Sequence, residues 1–171
     1  MKDDYNLTNL KGKAKRKNSR AKGNAFERQI AKALNDRFKT TEFSRSPGSG
    51  AFATTHTLPE HLKIHGDIIT PENFKFCIEC KKGYNNLNFY CLFNYRSEFW
   101  QFITQCEKDS AKCNKLPLLI FKQDRQSALA IIPGDIELPQ EITHINIYKN
   151  KVYKVYLFKD LIKCWDSMWF D

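Results

Sequence analysis

No run of apolar residues in this chain approaches the roughly 18 needed to cross a bilayer, and the N-terminus is charged from Lys2 onward. Those two absences set aside a membrane span and a secretory signal of the usual kind, and they make a cytoplasmic location the expectation. Without a leader, the six cysteines read as reduced thiols and not as a disulfide framework. Acid is also in short supply: 19 Asp and Glu face 28 Lys and Arg, for a net charge of +9. A surplus of that size selects a polyanionic partner, nucleic acid ahead of an acidic membrane surface. No internal repeat is visible. A length of 171 residues suits one domain with a single core.

What is present divides by pattern. Residues 1–22 are polar, with Lys11, Lys13, Lys15, Arg16, Lys17, Arg20 and Lys22 crowded together. Such a block repels itself, so a flexible basic arm is expected, tracking phosphates or merely solvating the chain. From Ala25, the residues Phe26, Ile30, Ala33, Leu34 and Phe38 fall at helical spacing and predict a helix of about four turns. Thr41–Ser46 reads as a short strand ending in Pro47-Gly48-Ser49-Gly50, a turn of small residues. Residues 51–65 have no clear period. Asp67–Thr70 and Phe74–Lys82 read as strands joined at Pro71-Glu72-Asn73, with a third short strand around Asn88–Phe93.

Ser97–Lys112 returns to helical spacing. Pro117–Phe121 and Ser127–Ile132 read as neighbouring strands, and Ile145–Phe158 as one or two strands around a turn at Asn150. Leu161, Ile162, Trp165 and Trp169 predict a C-terminal helix whose tryptophans serve a core or a dimer face before any base-stacking role. The expected fold is mixed α/β: a central β-sheet flanked by helices, formed by residues 23–171 as a single domain.

The chemistry concentrates in Glu27, Asp67, Glu79 and Lys81. Alternation along a strand points Glu79 and Lys81 one way, with Ile78 and Cys80 the other. If the chain returns so that Asp67 lies beside Glu79, two carboxylates can share one hard divalent cation with an ammonium nearby. Such a set can hydrolyse a phosphodiester. Glu-x-Lys alone is a weak signal and is most often a solvated pair. Here it sits on an apolar strand, with Asp67 one short strand earlier, Glu27 on an upstream helix, and Arg45 and Ser46 between, in a basic chain.

Lys22-Gly23-x-x-Phe26-Glu27-Arg28, Arg45-Ser46-Pro47-Gly48-Ser49-Gly50, Asp67-Ile68-Ile69 and Ile78-Glu79-Cys80-Lys81 occur in the order seen in archaeal-type Holliday junction resolvases. Over residues 22–121 the chain resembles that family, which belongs to the PD-(D/E)xK nuclease superfamily. The resemblance implies a restriction-endonuclease-like core and a homodimeric endodeoxyribonuclease that uses Mg2+, with Mn2+ as substitute, on branched or double-stranded DNA. By position it implies Asp67, Glu79 and the Cys80 carbonyl as metal ligands, Glu27 holding a metal or its water, and Lys81 serving the attacking water. Arg28, Arg45, Ser46 and Ser49 would contact phosphates, joined by Lys82 and by Lys13, Lys15, Arg16, Lys17, Arg20 and Lys22. For Ser46 and Ser49 plain turn chemistry is an equal reading, and Arg28 serves equally as a surface ion pair. Phe99 and Phe102 are candidates for the dimer face. A small basic enzyme of this kind fits a virus or mobile element.

Three departures from that family stand out. Gly66 replaces the usual proline, a change that looks harmless because neither residue supplies a ligand. The segment Ala51–His65 is longer than the norm. From about residue 127 the chain is a divergent extension. Elsewhere, Cys77-x-x-Cys80 invites a zinc reading, but positions three apart on a strand face opposite ways. His61 and His65 lack an acidic partner beyond Glu60 and favour a loop role. Tyr84, Phe89, Tyr90 and Tyr95 interleave with basic and amide groups; unpaired bases could stack on them, but a core role is expected for most. Two rivals stay open: a restriction-like or repair nuclease on duplex or flapped DNA, and a DNA-binding protein without activity.

Overall fold

A computed structural model of the chain describes residues 19–47, 65–139 and 141–171. The first helix, α1 (Ser19–Phe38), is followed by two short strands, β1 (Ser44–Arg45) and β2 (Ile68–Ile69), then by β3 (Phe76–Lys82). A 3-10 turn (Phe89–Leu92) leads into α2 (Glu98–Lys112) and the strands β4 (Leu116–Lys122) and β5 (Leu129–Pro133). A hairpin of β6 (His144–Tyr148) and β7 (Val152–Leu157) precedes two single helical turns, α3 (Phe158–Leu161) and α4 (Asp166–Trp169).

Five strands form one sheet in the order β3-β4-β5-β7-β6, parallel between β3 and β4 and antiparallel elsewhere. The parallel pair requires a crossover, and α2 supplies it. Alternation along the strands divides the core in two. Phe76, Ile78, Leu118 and Ile120 face the cluster containing Phe26, Ile30 and Leu34 of α1. Leu119, Phe121 and Ile131 face Phe99, Phe102, Ile103 and Cys106 of α2. The fold is therefore the expected mixed sheet between helices, with β3 at one sheet edge and a helix on each side of it.

Several elements differ from the sequence expectations. The first helix begins at Ser19 and not at Ala25, so Ser19–Lys22 of the segment read as an arm are helical. Lys22 gives the reason, because its ammonium is ion-paired with Asp124 on the turn after β4, which ties the first helical turn to the domain. The strand expected around Asn88–Phe93 is a 3-10 turn, started by Asn88, whose side-chain oxygen accepts from the Tyr90 N–H at 3.0 Å. That local bond competes with strand pairing. The C-terminal helix is two separate turns: Trp169 is buried against Phe74, whereas Trp165 is exposed. Phe99 and Phe102, considered for a dimer face, are spent inside the chain against Phe121. Phe89, Tyr90 and Tyr95, expected mostly in a core, lie exposed.

Candidate active site

The site is built where β2 meets the edge of β3. The Asp67 N–H donates to the Ile78 carbonyl at 2.8 Å, and the Cys80 N–H donates to Asp67 Oδ2 at 2.8 Å. These two bonds dock the acid-bearing strand beside β3, so Asp67 and Glu79 become neighbours although twelve positions separate them in sequence. β2 is held in turn by β1, with Ser44 opposite Ile69 and Arg45 opposite Ile68. From α1, Glu27 enters the same cleft, a space of about 800 Å³ also lined by Arg45, Asp67, Glu79, Lys81 and Lys82.

Each charged group at the centre has a partner. Lys81 Nζ donates to Glu79 Oε1 at 2.5 Å, and Arg45 Nε donates to Glu27 Oε2 at 2.6 Å. Arg45 also reaches Asn24 Oδ1 at 3.1 Å, which fixes its fork over the α1 end of the cleft. Beneath Lys81 lies the Phe102 ring, 5.4 Å from the ammonium to the centroid.

Electrostatics follow from three acids crowded in a partly dry cleft. Burial, then the Asp67 charge, push the Glu79 carboxyl up to about 7, with Lys81 only partly offsetting them. Burial, then Asp67, also raise Glu27, against the pull of Arg45. Burial alone would lower Lys81, but the Glu79 carboxylate and its hydrogen bond outweigh that and keep the ammonium charged. Acids that resist ionising beside one another are poised to accept a compensating cation.

The oxygen donors are of the hard class that Mg2+ or Mn2+ prefers. Among the described residues, no three Asp, Glu, His or Cys side chains close into a ready-made metal cage. Magnesium does not ask for one, since it typically takes one or two carboxylates and keeps several waters. The donors here fit such a loosely held, hydrated ion. Cys77-x-x-Cys80 does not offer a zinc pair: Cys80 packs in the core cluster that faces α1, whereas Cys77 lies beside Cys113 at the end of α2.

The other site candidates separate by location. Arg20, Lys22 and Lys82 line the cleft, with the Lys82 ammonium 5.5 Å above the Phe26 ring. Arg28 is exposed on α1 and lies away from the lining. Ser46 is buried, and its hydroxyl donates to the Gly66 carbonyl at 3.0 Å, so it ties β1 to the strand carrying Asp67 and does not face the cleft. Lys13, Lys15, Arg16, Lys17, Ser49 and His61 lie outside the described residues.

Three residues escaped sequence reasoning. Gln105 lines the cleft from α2, and Asn24 holds Arg45; neither carries a sequence signal, because their roles depend on packing across the fold. Gly66 did carry one, in standing where the resembling family has proline. Its φ of +76° is closed to proline, and an added Cβ would lie 2.7 Å from the Ile78 carbonyl oxygen. Glycine suits this backbone, and a side chain at position 66 would be strained where Asp67 docks onto β3.

A family model described as "Phage putative PDDEXK endonuclease" matches residues 18–168. The chain belongs to this family. Its match runs through the segment after Ser127, for which the resolvase resemblance offered no counterpart. Among curated proteins, Protein D14 of Escherichia phage T5 is 34% identical over 143 residues, 78% of this chain and 82% of that protein. No solved structure matches the chain. Membership in these phage endonucleases accords with the superfamily read from the sequence and with its mixed sheet flanked by helices.

Proposed function

We propose that this protein is a divalent-metal-dependent endodeoxyribonuclease that cuts branched DNA, a four-way junction above all, as a homodimer with one site per subunit. The observation that carries the reading is the meeting of Asp67, Glu79, Lys81 and Glu27 in a single cleft with a basic rim. Asp67 and Glu79, with the Cys80 carbonyl, would hold Mg2+ or Mn2+, and Glu27 would hold it or one of its waters. When bound, the ion lowers the pKa of water and offsets charge on the phosphate.

The chain's own residues do the rest. Lys81, kept charged by its ion pair with Glu79, would orient an attacking oxygen and offset the charge growing on phosphate. Arg45, ion-paired with Glu27 at the cleft edge, would offer its remaining guanidinium donors to a phosphate. Lys22, Arg20 and Lys82 bind the phosphates on either side. A twofold dimer suits the twofold symmetry of a four-way junction. The aromatic side chains Phe99 and Phe102 are buried within the subunit, so its contact would use another surface.

The test compares an immobile four-way junction with linear duplex of matching sequence, in Mg2+ and in EDTA, with Lys81→Ala alongside. Paired nicks near the branch that need Mg2+ and vanish in the variant are expected. Equal cutting of both DNAs would keep the site but move the function to a general duplex nuclease. Tight binding without cutting, unaffected by Mg2+, would leave a DNA-binding protein.

A further inference from the structure

Between β3 and α2, the segment 83–97 presents four aromatic side chains to solvent: Phe89 is 70% exposed, Tyr90 77%, Phe93 71% and Tyr95 52%. Large apolar groups so close together on a surface mark a contact site more often than an accident of packing. The chain had apolar residues to spare in this stretch. Leu87, Cys91 and Leu92 turn inward against the α2 core, while the larger rings turn out.

The backbone beneath those rings is pinned. Gln123 Nε2 donates to the Tyr84 and Leu87 carbonyls, at 3.1 and 2.5 Å. The Asn85 amide exchanges two bonds of 2.8 Å with Asp124. Ser97 Oγ donates to the Cys91 carbonyl at 2.9 Å, and Trp100 Nε1 to the Leu92 carbonyl at 3.2 Å. Phe89 and Phe93 meet edge to face, with centroids 5.7 Å apart. A held backbone that points rings outward is a preformed platform, and little ordering remains to be done when something lands on it.

Its occupant follows from where it starts and what surrounds it. Gly83, Tyr84 and Asn85, the first residues of the segment, are themselves cleft lining, directly after Lys81 and Lys82. Among residues 83–97 only Arg96 carries charge; the remaining polar groups are asparagines, a serine, a cysteine and tyrosine hydroxyls. Exposed aromatic rings on the segment that leaves a basic phosphate-binding cleft match a strand whose backbone lies in the cleft and whose bases are unpaired.

We infer that Phe89, Tyr90 and Phe93 form a stacking platform for unpaired bases of the DNA held in the cleft where their segment begins, which directs the nuclease to branched or single-stranded positions. The inference rests on the nuclease reading for its substrate class. Paired bases in a duplex hide their faces and gain nothing from the platform. The rings therefore supply a preference for open DNA, while the lysines and arginines supply affinity for any DNA.

The experiment is the triple variant Phe89→Ser, Tyr90→Ser, Phe93→Ser, with Phe89→Trp, Phe93→Trp as the conservative control. Binding is measured in EDTA to a linear duplex and to the same duplex carrying a single-stranded flap with 2-aminopurine at the branch. Sedimentation of each protein and cutting of both DNAs in Mg2+ run alongside. Wild type should favour the flapped DNA, and the serine variant should lose at least about tenfold in affinity for it, as expected for removal of one or more stacked bases. Its affinity for the duplex and its thermal stability should stay unchanged. The tryptophan variant should keep the preference and perturb the 2-aminopurine fluorescence.

Equal affinity of the serine variant and wild type for flapped DNA would overturn the inference. So would equal losses on both DNAs together with a shift to a smaller sedimenting species, which would assign the rings to a second copy of the chain. Cutting answers separately: a platform variant that cuts duplex normally leaves the nuclease reading intact, whereas a wild type that binds flapped DNA but never cuts removes that reading and keeps the platform.

Discussion

Asp67 earns its position from its neighbours as much as from its own chemistry. Gly66 carries φ +76° and backs onto the Ile78 carbonyl, so Gly66→Ala meets both left-handed strain and a backbone clash. The expected cost is about 2 kcal/mol or more in chemical denaturation, with activity falling further because the Asp67 bonds to Ile78 and Cys80 shift. Glu79 sets a pH dependence. The folded protein holds its proton up to about 7, whereas the unfolded chain releases it near the ordinary 4.5. Between those values the folded state binds more protons, so the contribution of this group to stability is greatest below 4.5 and is lost as pH rises through about 7. Without metal, the loss amounts to at most about 3–4 kcal/mol. Comparing thermal unfolding of wild type and Glu79→Gln from pH 5 to 8 isolates it, because the variant should lack the decline. Added Mg2+ should raise the melting temperature more at pH 8 than at pH 5.5, where protonated Glu79 competes with the ion.

At the scale of elements, α2 does two jobs: its apolar face closes the core over β4, and Phe102 floors the site beneath Lys81. Phe102→Ala should therefore destabilise the fold by about 3–5 kcal/mol, read from a denaturant midpoint, without changing the oligomeric state. A dissociating dimer with unchanged stability would instead return this residue to an interface. The start of α1 is held in part by the long-range ion pair of Lys22 with Asp124. Asp124→Ala should free Lys22 and also remove the carboxylate that accepts from Asn85, which would appear as faster amide exchange over residues 19–23 and around Asn85. The global cost should stay within about 1 kcal/mol, because both partners of that pair are partly solvated.

For the whole molecule, a net charge of +9 makes DNA affinity a matter of released counterions. Binding should weaken steeply and log-linearly with salt, while a preference for branched over linear DNA, if carried by rings and shape, should persist. A binding constant indifferent to salt between about 50 and 200 mM would sink the polycation account. Among the described residues no helix is long and apolar enough to cross a membrane. The family match over residues 18–168 ties the two core clusters and the cleft to one endonuclease fold.

Residue types and local periods indicate both long helices, β3, β4, β5 and a last β region of one or two strands, and they single out Glu27, Asp67, Glu79 and Lys81 as candidates. Those depend on interactions within a few residues, such as an apolar stripe every third or fourth position or alternation along β3. The resemblance of four short motifs supplied the superfamily on top of that. What local pattern could not settle were choices made by distant partners. Asp124 extends α1 by holding Lys22, Asn88 turns a strand-like run into a 3-10 turn, and Ile78 demands glycine at position 66. Ser46 shows the same limit, since its hydroxyl serves a phosphate or the Gly66 carbonyl equally well in sequence, and only the packing of β1 on β2 sends it inward. Aromatic residues were hardest to assign: burial depends on whether a sheet face remains to cover them, and Phe99 and Phe102 occupy that face while Phe89, Tyr90 and Phe93 are left to solvent.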